Sequence, residues 1–209
     1  MFPLGTVLFP GALLPLHVFE PRYRAMVRDC VAADHEFGVV LIERGSEVGG
    51  GDIRSMVGTI ARIVQLAETP DGRYALVAAG ARRLRVKVWL PDDPYPVAEV
   101  EDWPDDEADP DGDELHDLLD ATVSRLRRVL ALASEVGDQV PSATSELSVD
   151  PVLASYHAAA LAPVGPADGQ RLLETAGVRE RLTLLGELLE DADAVLQFRL
   201  GAGREPLPD

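Results

Sequence analysis

In E-P-R-Y, residues 20–23, a carboxylate, a guanidinium and a phenol stand within four positions, enough side-chain chemistry to furnish an acid–base site. The stretch around it, PLHVFEPRYRAMVRDC (15–30), alternates like a strand before the cluster and repeats like an amphipathic helix after it. Pro21 fits the first turn of that helix, where its missing donor costs nothing. Glu20 then sits at the positive end of the helix dipole, and Tyr23, Met26, Val27 and Cys30 recur on one helical face. The cluster is therefore read as the joint between strand and helix, not as a catalytic site.

The other reactive groups are no better placed for covalent work. Lys87 is the only lysine and lies inside the strand-like VKV, whereas a phosphate-binding loop needs its lysine in a glycine turn before a helix. RGSEVGGGD (44–52) is rich in glycine but joins two strands without a helix start, so it reads as a flexible loop. Within it GSEVG puts the serine directly after its glycine, which is not the nucleophile elbow. A serine–lysine dyad would have to recruit Lys87 from among three arginines. Histidines 17, 35, 116 and 157 show no paired metal spacing. Cys30, the only cysteine, excludes an internal disulfide or a multi-cysteine zinc site and reads as a small buried hydrophobe. No catalytic residue, metal or cofactor is expected.

One basic face carries an aromatic. In RRLRVKVWL (82–90), Leu84, Val86, Val88 and Leu90 are expected to point one way and Arg83, Arg85, Lys87 and Trp89 the other, with Arg82 beside them. Basic groups interleaved with an aromatic suit single-stranded nucleic acid, so this strand is the alternative, RNA-binding reading. Charge opposes it. The net charge is −17, with −1 on residues 1–100 and −16 on residues 101–209, a field that repels a phosphate backbone and an anionic membrane alike. The strand reads first as a solvated face whose arginines answer the acidic half.

The elements that hold these groups fall into two kinds. LLPLHVF (13–19), FGVVLIE (37–43), SMVGTIARIVQLAE (55–68), RYALVAAGA (73–81), the basic strand and PVAEVED (96–102) read as strands, with TPDG (69–72) as a hairpin turn. WPDDEADPDGD (103–113) holds six acidic groups, two prolines and a glycine, too polar and broken to join a core, and reads as a linker. Helices are then expected over 114–136, from Pro151 with Asp150 as N-cap, over 167–176, and over 178–199. The last carries Val178, Leu182, Leu185, Leu189, Ala192 and Leu196 on one stripe, and such stripes pack as a bundle. The expected layout is a β domain (1–102), an acidic linker (103–113), a helical bundle (114–200) and a disordered tail (201–209). With 46% apolar residues, mean hydropathy of +0.02 and no apolar run near 18 residues, the chain reads as soluble and cytoplasmic. Arginine and alanine in place of lysine suggest a GC-rich bacterial genome.

These motifs meet a family. PLGTVLFPGALLPLHVFEPRYRAMVRD closely resembles the opening of the N-terminal, substrate-binding domain of Lon proteases, in which LFPG…PLHIFEPRY is characteristic. The likeness continues through FGVVLIERG, VGTIARIVQLAETPDGRYALVAAGARRLRV and LLETAGVRERLTLLGELLE, over about residues 2–195. It implies an α+β fold, a PUA-like β pseudobarrel with one inserted helix followed by a helical bundle. It also implies a non-catalytic module that binds polypeptide segments, as an adaptor in proteolysis or quality control, with homo-oligomerisation as a further family trait. The ATPase and serine–lysine peptidase modules of a Lon protease have no counterpart in this sequence, so it resembles the stand-alone Lon-N-like proteins of bacteria, with a few residues expected before Met1. The resemblance puts the binding surface in a groove beside the bundle or on an apolar loop at the barrel's end. Phe9, Pro10, Leu13 and Leu14 are its candidates, with Tyr95 and Trp103 flanking the final strand.

Overall fold

In a computed structural model, residues 1–45, 51–106 and 112–202 are described. The glycine-rich loop beyond Gly45, the middle of the acidic linker and the tail beyond Ala202 lie outside them. The chain divides into two compact units, Met1–Pro104 and Asp105–Asp209.

The first unit contains β1 (Phe2–Leu4), β2 (Leu13–Val18), α1 (Pro21–Ala32), β3 (Glu36–Arg44), β4 (Ile53–Glu68), β5 (Tyr74–Leu90) and β6 (Val97–Asp102). They form one mixed sheet in the order β1-β3-β4-β5-β2, with β6 also on β5. Among the described residues only β1 and β3 run parallel. The two runs 73–81 and 82–90 are a single strand, β5, which serves β4 along one edge. Its other edge changes partner midway, from β2 over Tyr74–Ala79 to β6 over Leu84–Leu90. Gly80 sits at the change. A Cβ there would lie 2.2 Å from the carbonyl oxygen of Phe9, and the bare backbone instead exchanges bonds with the loop, Gly11 N–H to Gly80 O (2.8 Å) and Gly80 N–H to Ala12 O (2.9 Å).

Pro21 opens α1 as expected, but the Glu20 carboxylate does not cap it; it accepts from Arg22 Nε at 3.1 Å. Tyr23, Met26 and Val27 turn inward, and the Tyr23 ring lies 4.2 Å from that of Phe2. Burial pushes the Tyr23 phenol up to about 12. The joint between strand and helix is thus built into the core formed with Val18, Val39, Leu76 and Ala78.

The second unit holds α2 (Asp113–Glu135), α3 (Pro151–Leu161), α4 (Pro166–Glu174) and α5 (Val178–Ala202). Asp150 caps α3 by accepting from the backbone N–H of Val152 (2.8 Å) and Leu153 (3.1 Å). Leu182, Leu185 and Leu189 of α5 are fully buried, as are Leu126 and Val129 of α2 to within 2%. No helix among the described residues is long and apolar enough to cross a membrane.

Candidate binding surface

The site residues expected from sequence fall in three different environments. Phe9 and Pro10 are buried, and Leu14 is half-buried against the first unit's core, so they support the loop and offer little surface. Leu13 alone of that group stands out, 68% exposed. Tyr95 packs on the same core and donates from its hydroxyl to Asp29 Oδ2 at 2.7 Å. That bond, with burial, raises its phenol to about 12. Trp103 is half-buried, with the guanidinium groups of Arg83 (4.4 Å) and Arg85 (4.1 Å) over its ring.

The basic strand departs from the expected alternation. A register shift between Val86 and Val88 against β6 inserts one extra residue. Past this bulge the faces exchange: Val88 and Leu90 become exposed, while Trp89 packs against the cluster of Val40, Ile60, Leu84 and Val86 and takes Arg54 over its ring at 4.9 Å. Arg83 is buried and donates to Pro104 O at 3.1 Å. Arg82 is held by Glu36 and Asp102, both at 2.9 Å, and Lys87 by Glu101 at 3.0 Å. Carboxylates of β3 and β6 thus answer Arg82 and Lys87 within the first unit.

The exposed apolar surface of the first unit lies elsewhere, on the ribbon of β2, the first half of β5 and the end of β4. Register aligns Pro15, Val77 and Gln65 in one cross-strand row, and His17, Ala75 and Ala67 in the next. Leu13 continues the face beside Ala79. Successive residues of a strand point to opposite faces, so Leu16, Leu76 and Tyr74 fill the core while these rows turn to solvent. The two rows line a shallow hollow of about 590 Å³. The hollow's lining carries no carboxylate, guanidinium or ammonium, and its hydrogen-bonding side chains are His17 and Gln65; the neighbouring row of Leu13 and Ala79 ends on Arg62, which is held by Glu36 at 2.7 Å. Both ribbon edges are unpaired among the described residues: β2 pairs only with β5, and β4 loses β3 beyond Arg62. Pro15 blunts the β2 edge, since it has no N–H to offer. The β4 edge, with Val64 and Leu66 exposed at 52% and 40%, has no such block. Sequence reasoning read this segment as a hairpin but missed its solvent-facing rows, because alanines and a proline give no strong alternation signal.

A different arrangement lies in the second unit. Arg181, fully buried, donates to Asp105 and to Ser155 Oγ (2.6 Å), and its guanidinium stacks 3.6 Å from the centre of the Tyr156 ring. The Tyr156 hydroxyl donates to the same Asp105 oxygen at 2.9 Å, and Ser155 Oγ donates to Val152 O at 2.6 Å. A buried charge so surrounded is a structural lock. Asp105, assigned to a solvated linker by composition, is in fact part of this core. The signal for Arg181 was present: it lies three residues after Val178 and four before Leu185, on the buried stripe itself.

A mixed sheet with one inserted helix, followed by four helices, gives an α+β fold. The chain belongs to the ATP-dependent protease La (LON) substrate-binding domain family, whose family model matches residues 1–191. It is 32% identical over 200 residues to Lon protease 2 of Myxococcus xanthus and 30% identical over 201 residues to the Lon protease of Anaeromyxobacter dehalogenans. In each case the match takes in 93% of this chain but 23% of the relative, so the chain spans about a quarter of the length of these proteins. Among solved structures, the Lon N-terminal domain protein from Xanthomonas campestris is similar at 32% identity and a TM-score of 0.64, covering 88% of this chain and 94% of that one. The N-terminal domain of the Mycobacterium avium complex Lon protease shares the fold, at 24% identity and a TM-score of 0.63, over 90% of this chain and 97% of that one.

Proposed function

We propose that the protein is a non-catalytic module that recognises extended, apolar polypeptide segments on the ribbon face of β2, β5 and β4, acting as an adaptor in proteolysis or quality control. The observation that carries this reading is the uncharged hollow of about 590 Å³ beside an unblocked strand edge. An extended segment can pair its backbone along Val64–Glu68 while its alternate side chains lie beside Gln65 and Ala67, with Val77 and Ala75 one strand further. The family supports recognition of protein over other ligands, and the carboxylates around Arg82 and Lys87 leave the RNA reading with little free positive charge.

The test is binding of labelled, unfolded casein and of single-stranded RNA to the 209-residue chain at two salt concentrations. Casein is expected to bind with little salt dependence, and Leu13→Asp combined with Val77→Asp to reduce affinity about tenfold or more. RNA binding that falls steeply with salt and disappears on Arg85→Glu would replace this reading with the nucleic-acid one.

A further inference from the structure

The buried stripe of α5 has an exposed companion. Leu188, Val195 and Phe198 follow at spacings of seven and three, one side of a helix, with Val195 58% and Phe198 77% exposed. Beside Leu188 and Val195 opens a hollow of about 340 Å³, walled opposite by Pro163 and Val164 of the segment between α3 and α4. Its polar lining is dominated by carboxylates: Asp138, Asp168 and Asp191. Arg199 is committed to Asp138 through two bonds of 2.6 and 2.8 Å, and Arg171 to Asp168 at 2.8 Å. Asp191 is exposed with no ion pair among the described residues, and Glu187 lies one turn before it.

We propose that this hollow docks a cationic amphipathic segment of another protein, its apolar side chains entering against Leu188 and Val195 and continuing onto the exposed Phe198 one turn on, and its arginines or lysines pairing with Asp191 and the acids around it. Charge selects this occupant. Residues 101–209 carry 24 acidic and 8 basic groups, so a second copy would bring like charge to the contact, and an anionic membrane or nucleic acid would be repelled. Size agrees: Leu188 to Phe198 spans about 15 Å of helix, which two or three turns of a partner helix can follow. The surface is separate in chemistry from the ribbon hollow, whose lining has no charge to select with.

The probe is a labelled 15-residue synthetic peptide with leucines at helical i, i+3, i+4, i+7 spacing and arginines between them, together with its glutamate counterpart, titrated with the full chain. The arginine peptide is expected to bind saturably at low salt and to weaken about tenfold or more at high salt, while the glutamate peptide does not bind. Phe198→Glu and Asp191→Arg, both at exposed positions, should each lower affinity about tenfold with unchanged circular dichroism. Equal binding of the two peptides, no binding of either, or indifference to both substitutions overturns the proposal. Loss of binding on Leu13→Asp but not on Phe198→Glu would put the peptide on the ribbon and overturns it too. Concentration-dependent sedimentation abolished by Phe198→Glu would assign the hollow to a second copy, with the same consequence.

Discussion

The two units carry their charge differently. In the first, Arg82 meets Glu36 and Asp102 at the surface, while Arg83 is buried and Arg54 is largely enclosed with Asp52 (2.6 Å) and Asp92 (2.9 Å). In the second, acids prevail on the outside while one guanidinium, Arg181, lies wholly inside. Exposed pairs are worth little, because water competes for both partners. An enclosed cation cannot be rehydrated without opening the fold, so the groups around it become conditions of folding. The difference teaches that the number of ion pairs says less about a unit's integrity than where its least solvated charge sits.

Removing the key cation from each unit breaks or sharpens that contrast most directly. Arg181→Met leaves the Asp105 carboxylate and Ser155 Oγ without their donor and the Tyr156 ring without its stacked cation. It is expected to cost the second unit about 3–5 kcal/mol, whereas Arg82→Ala should cost the first about 0–1 kcal/mol. Urea unfolding followed at 222 nm reports mainly the helices, while both tryptophans, Trp89 and Trp103, belong to the first unit and report it by fluorescence. Comparable losses from the two substitutions would end the distinction drawn between enclosed and exposed charge.

Glycine provides a second contrast, smaller and opposite in sign. Gly80→Ala drives a Cβ against the Phe9 carbonyl, a backbone atom with no freedom to yield, and should destabilise the first unit by about 1–3 kcal/mol. Gly186→Ala adds the same methyl inside α5, where the nearest atom is Arg125 Nη1 at 3.9 Å. There it removes backbone freedom from the unfolded chain and should stabilise the second unit by up to about 1 kcal/mol. The midpoint of urea unfolding measures both, and a stabilising Gly80→Ala would show that the approach of loop 9–12 does not fix the strand.

What could be read in advance follows the same physical divide. Helix starts were legible because proline and aspartate act within three residues: Pro21, and Asp150 with Pro151, stand where local rules put them. Burial of Leu182, Leu185 and Leu189 followed from periodicity alone. The bulge after Val86 was not legible, because nothing in V-K-V marks an extra residue; it arises from register against β6 and reverses the faces of Val88, Trp89 and Leu90. The burial of Arg83 and Asp105 was equally hidden, since their partners, the Trp103 ring and Arg181, come from other segments. The ribbon face escaped for another reason. Its rows of Pro15, Val77 and Gln65, and of His17, Ala75 and Ala67, exist only once three strands are aligned.

The smallest expected effect distinguishes the units by pH. His157 of α3 is half-buried, and its Nδ1 accepts the backbone N–H of Ser148 at 3.3 Å, which requires the unprotonated nitrogen. Burial lowers its pKa below the ordinary value of 6.5. A base whose folded pKa is depressed is protonated first in the unfolded chain, so its contribution is intact above about pH 6.5 and is lost as pH falls below that value toward the folded pKa. The second unit's unfolding midpoint at 222 nm should therefore drop between pH 7 and about pH 5.5, before most carboxylates take up protons. His157→Gln, which cannot titrate, should flatten that part of the profile while leaving the tryptophan transition of the first unit on its original course. An unchanged slope in His157→Gln would mean that the acid sensitivity comes from the carboxylates, and that enclosure in this unit matters for Arg181 alone.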